Sequence, residues 1–237
     1  MAAPTQTVLV LGAYGFFGSR ICAALAKNPR IRLILAGRSL SKATAAAYQI
    51  GLSANHARAL DATRTDLALQ LRKLGVNTVI HTAGPFQGQG YAVARAAIKA
   101  GCNYFDLADG RAFVGGVTKL DAEARAAGVS IISGVSSLPA LTSAVVDKYR
   151  GEFKRLDIIR IGITSGAVVP GLATIRSVLG YCGKPFRTLE NGAWIDVHGW
   201  LDTQEYDFSR SVGVRRIGRC DVPDLDLLPQ RYPGVKT

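Results

Sequence analysis

Gly12, Gly15 and Gly18 follow directly on the apolar run Val8-Leu9-Val10-Leu11, in the order Gly12-Ala13-Tyr14-Gly15-Phe16-Phe17-Gly18. A short buried strand, a glycine-punctuated turn and a helix start make up the local architecture of a dinucleotide-binding turn. Gly12 allows a sharp exit from the strand, where a Cβ would be strained. Gly15 lets the backbone approach a phosphate, and Gly18 lets the helix pack on the strand. The first N–H groups of the helix have no partner within it and face an anion. The expected chemistry is the grip of a pyrophosphate by Gly12, Ala13, Tyr14, Gly15, Phe16, Phe17 and Gly18. The spacing is G-x-x-G-x-x-G rather than G-x-G-x-x-G, and a ligand-free structural turn is the competing reading.

Gly37-Arg38-Ser39 ends the second apolar run, with Lys42 one turn later. An acidic residue there would hold ribose hydroxyls and repel a 2′-phosphate. Arg38 can instead pair with that phosphate and lie over the adenine, while Ser39 donates a hydrogen bond. Gly37, Arg38, Ser39 and Lys42 therefore predict NADP as the cofactor. A solvated surface arginine is the alternative. Asp61 and Ala62 follow a third run, where Asp61 would reach the adenine amino group or cap a helix. Ala83, Gly84 and Pro85 follow a fourth, where a nicotinamide would lie.

Proton carriers are harder to read. Asp106 and Asp109 are the catalytic candidates, orienting a substrate amine or relaying a proton. Capping the next helix is the competing role for each. Tyr104 is a further candidate. His81 reads as a packed core histidine and Cys102 as a buried structural thiol. Trp194 and Trp200 pack a second sheet or a subunit interface, or line a substrate pocket.

The elements that must position these residues alternate. Strands are predicted over 7–11, 32–36, 57–60, 76–82, 103–107 and 129–133. Helices are predicted over 16–27, 41–50 with Ser41 as cap, 65–74, 88–100 and 112–127. This is a doubly wound α/β Rossmann fold: a parallel sheet with helices on both faces and every ligand loop at the strands' carboxyl ends. After Pro139 the pattern changes. A helix is expected over 140–149, a strand over 156–164 and a helix over 170–181. Strands are expected over 190–196, 197–206 and 212–219, with Asn191-Gly192 as a hairpin signal. The stretch from Asp221 to Pro229 reads as extended and proline-broken. The division expected is an NAD(P)-binding domain over 1–138 and a smaller α+β substrate or dimerisation domain over 139–237.

The chain has 237 residues, 48% of them hydrophobic, and a net charge of +12. Residues 1–150 carry 17 Lys+Arg against 7 Asp+Glu, and the remainder 12 against 10. A basic first half suits an anionic dinucleotide. It would also suit nucleic acid, but no dense Arg/Lys stripe or aromatic RNA-binding motif accompanies it. Cys22, Cys102, Cys182 and Cys220 are scattered, as in a reduced cytoplasmic protein, and offer no metal spacing. The N-terminus lacks the features of a signal peptide. The longest apolar region, 130–146, is broken by Gly134 and Pro139 and does not read as a membrane span. No G-x-S-x-G elbow points to a hydrolase. A short-chain dehydrogenase would need Tyr-x-x-x-Lys on a helix. Only Tyr232 and Lys236 fit, and they enclose Pro233 and Gly234.

The glycine turn, Ala36-Gly37-Arg38 and His81-Thr82-Ala83-Gly84-Pro85-Phe86 together form a recognisable set. Ala100-Gly101-Cys102-Asn103-Tyr104-Phe105-Asp106-Leu107 and Gly134-Val135-Ser136-Ser137-Leu138-Pro139 extend it. On these motifs the chain resembles the saccharopine dehydrogenase family of NAD(P)-dependent oxidoreductases, including its trans-acting enoyl reductase-like members. The resemblance covers residues 7–150 and the tail around 228–234. It implies a Rossmann domain followed by an α/β substrate domain. It also implies hydride transfer between NADP(H) and a small C=N or C=C substrate. A homodimer formed through the second domain is expected beside it. Family chains generally run longer, so the expectation is a truncated or naturally short member with an incomplete substrate site. A non-catalytic NADP(H)-binding sensor or scaffold is the alternative.

Overall fold

The computed structural model describes residues 5–164, 172–209 and 212–237. The chain divides into two compact units. One runs to Ala108 and resumes over Gly116–Val135; the other takes Asp109–Gly115 and Ser136–Thr237.

The first unit alternates β1 (Gln6–Leu11), α1 (Phe16–Leu25), β2 (Ile31–Gly37), α2 (Leu40–Gln49), β3 (Ala57–Ala59), α3 (Leu67–Lys73), β4 (Thr78–His81), α4 (Ala92–Ala100) and β5 (Asn103–Asp106). After α5 (Arg111–Gly116), where the chain switches units, come α6 (Asp121–Ala126) and β6 (Ile131–Ile132). All six strands are parallel, in the order β3-β2-β1-β4-β5-β6. This is the doubly wound α/β sheet that the alternation predicts.

Both faces of the sheet are covered, so its strands are almost continuously apolar. Leu9, Leu11, Ile34 and Val79 pack with Leu71, Ala94 and Ala97 on one face. Val8, Val10, Leu33 and Leu35 pack with Cys22 and Ala47 on the other. Gly101 ends α4 in the left-handed region at φ 72°, its N–H bonded back to Ile98 O at 3.0 Å.

Two helix readings need correction. Ser39, not Ser41, caps α2: its hydroxyl accepts the Lys42 N–H at 3.3 Å. The stretch 112–127 is not one helix. It breaks after Gly115-Gly116 into a 3-10 turn over Val117–Leu120 before α6 begins. Two adjacent glycines and a β-branched pair, Val117-Thr118, lower helix propensity there.

The second unit contains α7 (Thr142–Tyr149), α8 (Leu172–Gly180), β7 (Pro185–Glu190), β8 (Ala193–His198), β9 (Gln204–Asp207), β10 (Val214–Ile217) and α9 (Asp224–Arg231). β7 and β8 form an antiparallel hairpin around Asn191 and Gly192, at φ 51° and 82°. Positive φ at both turn residues marks a type I′ turn. The strand expected over 190–196 thus contains the turn itself, and the one expected over 197–206 is interrupted between the end of β8 and the start of β9. β9 and β10 pair antiparallel. Residues 170 and 171 of the expected helix lie outside the described residues.

Two further expectations fail here. No strand forms over 156–164. Ile158, Ile161 and Ile163 are exposed, and the backbone bonds to the tail, through Ile159 N–H to Thr237 O at 2.8 Å and Lys236 N–H to Asp157 O at 2.7 Å, rather than to a strand. Alternation makes a strand only where a second strand completes the ladder. The stretch from Asp221 to Pro229, read as extended, instead builds α9. Pro223 already holds helical angles, φ −57° and ψ −31°. Asp224 and Asp226 favour the first turn. Arg111 holds Asp226 through two nitrogens and donates to Arg187 O at 2.7 Å. These contacts and burial of Leu228 offset the bond lost at Pro229.

Candidate functional site

The strand order reverses between β1 and β4, so the crevice at their carboxyl ends is where a doubly wound sheet takes its ligand. Gly12 leaves β1 at φ 89°. The N–H groups of Gly12 and Ala13 donate to Ala36 O at 2.9 and 3.1 Å, tying the turn to β2. Thr82, just past β4, holds it from the other side. Its hydroxyl lies 3.0 Å from Leu11 O and 3.1 Å from Gly12 O. A Cβ on Gly12 would stand 2.7 Å from that hydroxyl, and one on Gly18 would collide with Gly12 O. Gly12 and Gly18 are therefore glycines because the turn, the helix and Thr82 share one small volume.

Gly15 occupies the cap position of α1 and gives it no side-chain hydrogen bond. No acidic residue lies in the first turn. The first amides of α1 thus keep their partial positive charge for an external anion. Phe16 and Phe17 are exposed, and Arg20 lies 3.8 Å over the Phe16 ring. Tyr14 reaches from the turn to the end of β2, where its hydroxyl accepts the Ser39 N–H at 3.1 Å.

At that end Gly37 is buried, and Arg38 and Lys42 are exposed. Asp61 accepts Thr63 N–H and Thr63 Oγ1, both at 2.9 Å. The Thr63 amide, then its hydroxyl and the charge of Arg38, hold this carboxyl below its ordinary value. Asp61 does not cap α3, whose cap position is Asp66. Its own tight turn leads there instead. Ala62 packs on the core.

Ala83, Gly84 and Pro85 are half-buried after β4. Gln89 fastens the loop, its Nε2 donating to Ala83 O at 3.2 Å and to Pro85 O. The Gly84-Pro85 peptide is cis. Beneath it His81 is 2% exposed, with the Phe86 ring edge-on at 5.1 Å. Burial pushes its imidazole down to about 4, so it is neutral at pH 7. Its Nδ1 lies 3.1 Å from the Tyr104 hydroxyl. Burial first, then the adjacent Asp106 charge, pushes that phenol up.

Asp106 is 0% exposed. Its Oδ1 accepts Ala108 N–H at 2.9 Å, Ser133 Oγ at 2.8 Å and Gly134 N–H at 2.9 Å. It fastens the ends of β5 and β6. Asp109 belongs to the second unit, half-buried. Burial chiefly raises the nearby Tyr181 phenol, with Asp109 among the charges that add to it. Cys102 is buried, its Sγ 3.0 Å from Val76 O, as a structural thiol should be.

The sequence reading missed Thr82, Gln89 and the His81–Tyr104–Asp106 chain. The last had a legible signal. Tyr104 and Asp106 alternate on β5, and His81 is the register partner of Asp106, so all three share one face.

Comparison with known proteins agrees with this geometry. The model of the saccharopine dehydrogenase NADP binding domain matches residues 8–132, just over half of the chain. No curated protein matches by sequence. Apo saccharopine dehydrogenase (L-Glu forming) from Saccharomyces cerevisiae superposes with a TM-score of 0.68 at 18% identity, over 98% of this chain and 53% of its own. The present chain thus spans about half the length of that enzyme, and the likeness is one of fold. Two structures are more distant. GenD2 from gentamicin A biosynthesis, in complex with NAD, has a TM-score of 0.45 at 22% identity, over 65% of this chain and 42% of its own. Biliverdin reductase from Synechocystis sp. PCC 6803, with biliverdin and NADP+, has 0.42 at 18%, over 80% and 48%. Among the described residues no helix is long and apolar enough to cross a membrane. Because the family model falls on the same residues that build the sheet and its crevice, the chain belongs to the saccharopine dehydrogenase family of oxidoreductases, and this part of it is the family's NADP-binding domain.

Proposed function

We propose that this protein is an NADP(H)-dependent oxidoreductase moving hydride between the cofactor and a small molecule with a C=N or C=C bond. One observation carries the reading. The uncapped start of α1 opens beside a β2 end that bears two exposed cations, Arg38 and Lys42, and no carboxylate. That combination favours a pyrophosphate with a further phosphate nearby. Gly12 to Gly18 would hold the pyrophosphate, with Gly37, Arg38, Ser39 and Lys42 around the 2′-phosphate. Asp61 and Ala62 would flank the adenine, and Ala83, Gly84 and Pro85 the nicotinamide. Bound NADP(H) supplies or accepts the hydride; the protein positions it and excludes water. In this reading Asp106 is a positioning residue, because its carboxylate is enclosed, and Asp109 remains the candidate proton relay.

Calorimetric titration with NADPH and NADH tests the proposal. The wild type should prefer NADPH, and Arg38→Asp should erase that preference. Unchanged preference in the variant removes Arg38, and no heat with either nucleotide removes the proposal. Homodimerisation through the second unit belongs to the same reading, supported by exposed Leu179, Tyr206 and Val214 there. A monomer in light scattering would exclude it.

The enclosure of Asp106 also favours a second reading, an NADP(H)-binding sensor or scaffold. Tight NADPH binding without oxidation by any imine or enoyl compound would select it.

A further inference from the structure

The side chain of Tyr14 crosses from the glycine turn to the end of β2 and packs against Gly37. A Cβ at residue 37 would stand 2.5 Å from its Cε1 and 2.8 Å from its Cζ and Oη. The Tyr14 hydroxyl accepts the Ser39 N–H at 3.1 Å. Ser39 is fixed from its side chain as well, with Lys42 N–H donating to its Oγ at 3.3 Å and Ser41 Oγ 3.0 Å away. Gly37-Arg38-Ser39 is thus held at both ends, and the Arg38 side chain between them is exposed. Its charged neighbour, Asp61, is committed to the Thr63 amide and hydroxyl.

A carboxylate at the end of β2 is what an NAD site uses to hold the ribose hydroxyls. Here the space a side chain at residue 37 would need is already filled by the Tyr14 ring. We infer that Tyr14 is a specificity-determining residue for the phosphorylated dinucleotide: it closes the ribose-carboxylate position and pins the backbone that presents Arg38. Tyr14 and Gly37 act as a pair, since any side chain at residue 37 expels the ring and breaks the bond to Ser39. Tyr14 is a positioning residue in this scheme, acting on the 2′-phosphate through Arg38.

The inference rests on the assignment of Arg38 to the 2′-phosphate, and one experiment separates the two. NADPH and NADH are titrated calorimetrically into the wild type and into Tyr14→Phe, Gly37→Ala and Arg38→Ala. Tyr14→Phe keeps the ring and removes only the hydroxyl. It should weaken NADPH binding about fivefold, the size of one net hydrogen bond, and leave NADH nearly unchanged. Gly37→Ala should reproduce that selective loss by expelling the ring. Equal weakening of both nucleotides in Tyr14→Phe, or no weakening of either, overturns the inference. If Arg38→Ala abolishes the NADPH preference while Tyr14→Phe retains it, Tyr14 alone is dismissed. If Arg38→Ala retains the preference, both assignments fall.

Discussion

Gly15 and Gly18 look alike in the motif but stand in different surroundings. A Cβ on Gly15 would lie 3.1 Å from Gly12 O, which a small shift relieves, whereas one on Gly18 would strike both Gly12 O and the Thr82 hydroxyl. Gly12 O is backbone in both cases, but the overlap from residue 18 is far deeper and adds Gly12 C at 2.9 Å and the Thr82 hydroxyl at 2.8 Å. Gly18→Ala should therefore cost about 1–3 kcal/mol of stability, the range for an overpacked site, and weaken NADPH binding by shifting α1. Gly15→Ala should cost much less stability. Urea unfolding of the two variants checks the contrast, and equal midpoints would refute it. His81 gives a pH prediction at the same scale. Its folded pKa is about 4, below an unfolded value near 6.5. Between those values the unfolded chain binds more protons, so stability falls as pH drops from about 6.5 toward 4. At about 1.4 kcal/mol per pKa unit the full loss approaches ~3 kcal/mol. His81→Gln should unfold with a shallower pH dependence than the wild type across that window. Parallel curves would show that His81 is not buried neutral.

At the scale of elements, α5 and the turn after it depend on two adjacent glycines with opposite surroundings. A Cβ on Gly115 meets nothing within 4 Å, while one on Gly116 would lie 2.5 Å from the Tyr91 hydroxyl oxygen. Gly115→Ala should stabilise by about 0.5–1 kcal/mol through helix propensity and unfolded-state entropy. Gly116→Ala gains the same propensity but must displace Tyr91, so its melting temperature should not rise. A rise in both would mean the Tyr91 hydroxyl moves at no cost. The same pair shows why element boundaries were only partly legible. The turns at Gly101 and Gly128 were readable because a left-handed residue is a local requirement that glycine meets. The hairpin at Asn191-Gly192 was readable for the same reason, though the strands around it were displaced by several residues. The break after Gly116 was overlooked because isolated apolar periodicity continues through it to Ala124. Residues 156–164 alternate as a strand should, but alternation says nothing about a neighbour to pair with. α9 was hidden because Pro223 and Pro229 read as breakers, while Arg111, which holds Asp226, lies 115 positions away in the chain. The crevice residues were legible for a related reason: each sits at a strand end fixed by local sequence. His81, Tyr104 and Asp106 needed the register of β4 against β5 to be seen as one chain.

For the whole molecule, the placement of charge matters more than its total. The first acidic residue in the chain is Asp61, and seven Lys and Arg residues precede it. Of those seven, Arg20, Arg38, Lys42 and Arg58 lie toward the carboxyl edge of the sheet, where the pyrophosphate and 2′-phosphate are proposed, and Lys27, Arg30 and Arg32 lie at the opposite edge. An anion approaching the carboxyl edge meets a mainly positive field, reinforced by the start of α1 and offset locally by Asp61. NADPH carries roughly 1.5–2 more negative charges than NADH at pH 7, the usual charge of a phosphate monoester. The field should act on that difference, and salt should screen it. Raising the salt from about 50 mM to about 500 mM cuts the Debye length to less than half. NADPH binding should then weaken markedly more than NADH binding, mainly through the association rate. Arg38→Ala removes the nearest proposed contact but leaves Arg20, Lys42 and Arg58 in place. Its NADPH binding should keep part of the excess salt dependence while losing affinity. Stopped-flow titration of both nucleotides across the salt range decides this. Identical salt slopes for NADPH and NADH in the wild type would mean that the extra phosphate never enters the field, and that the basic character of these residues serves something other than cofactor capture.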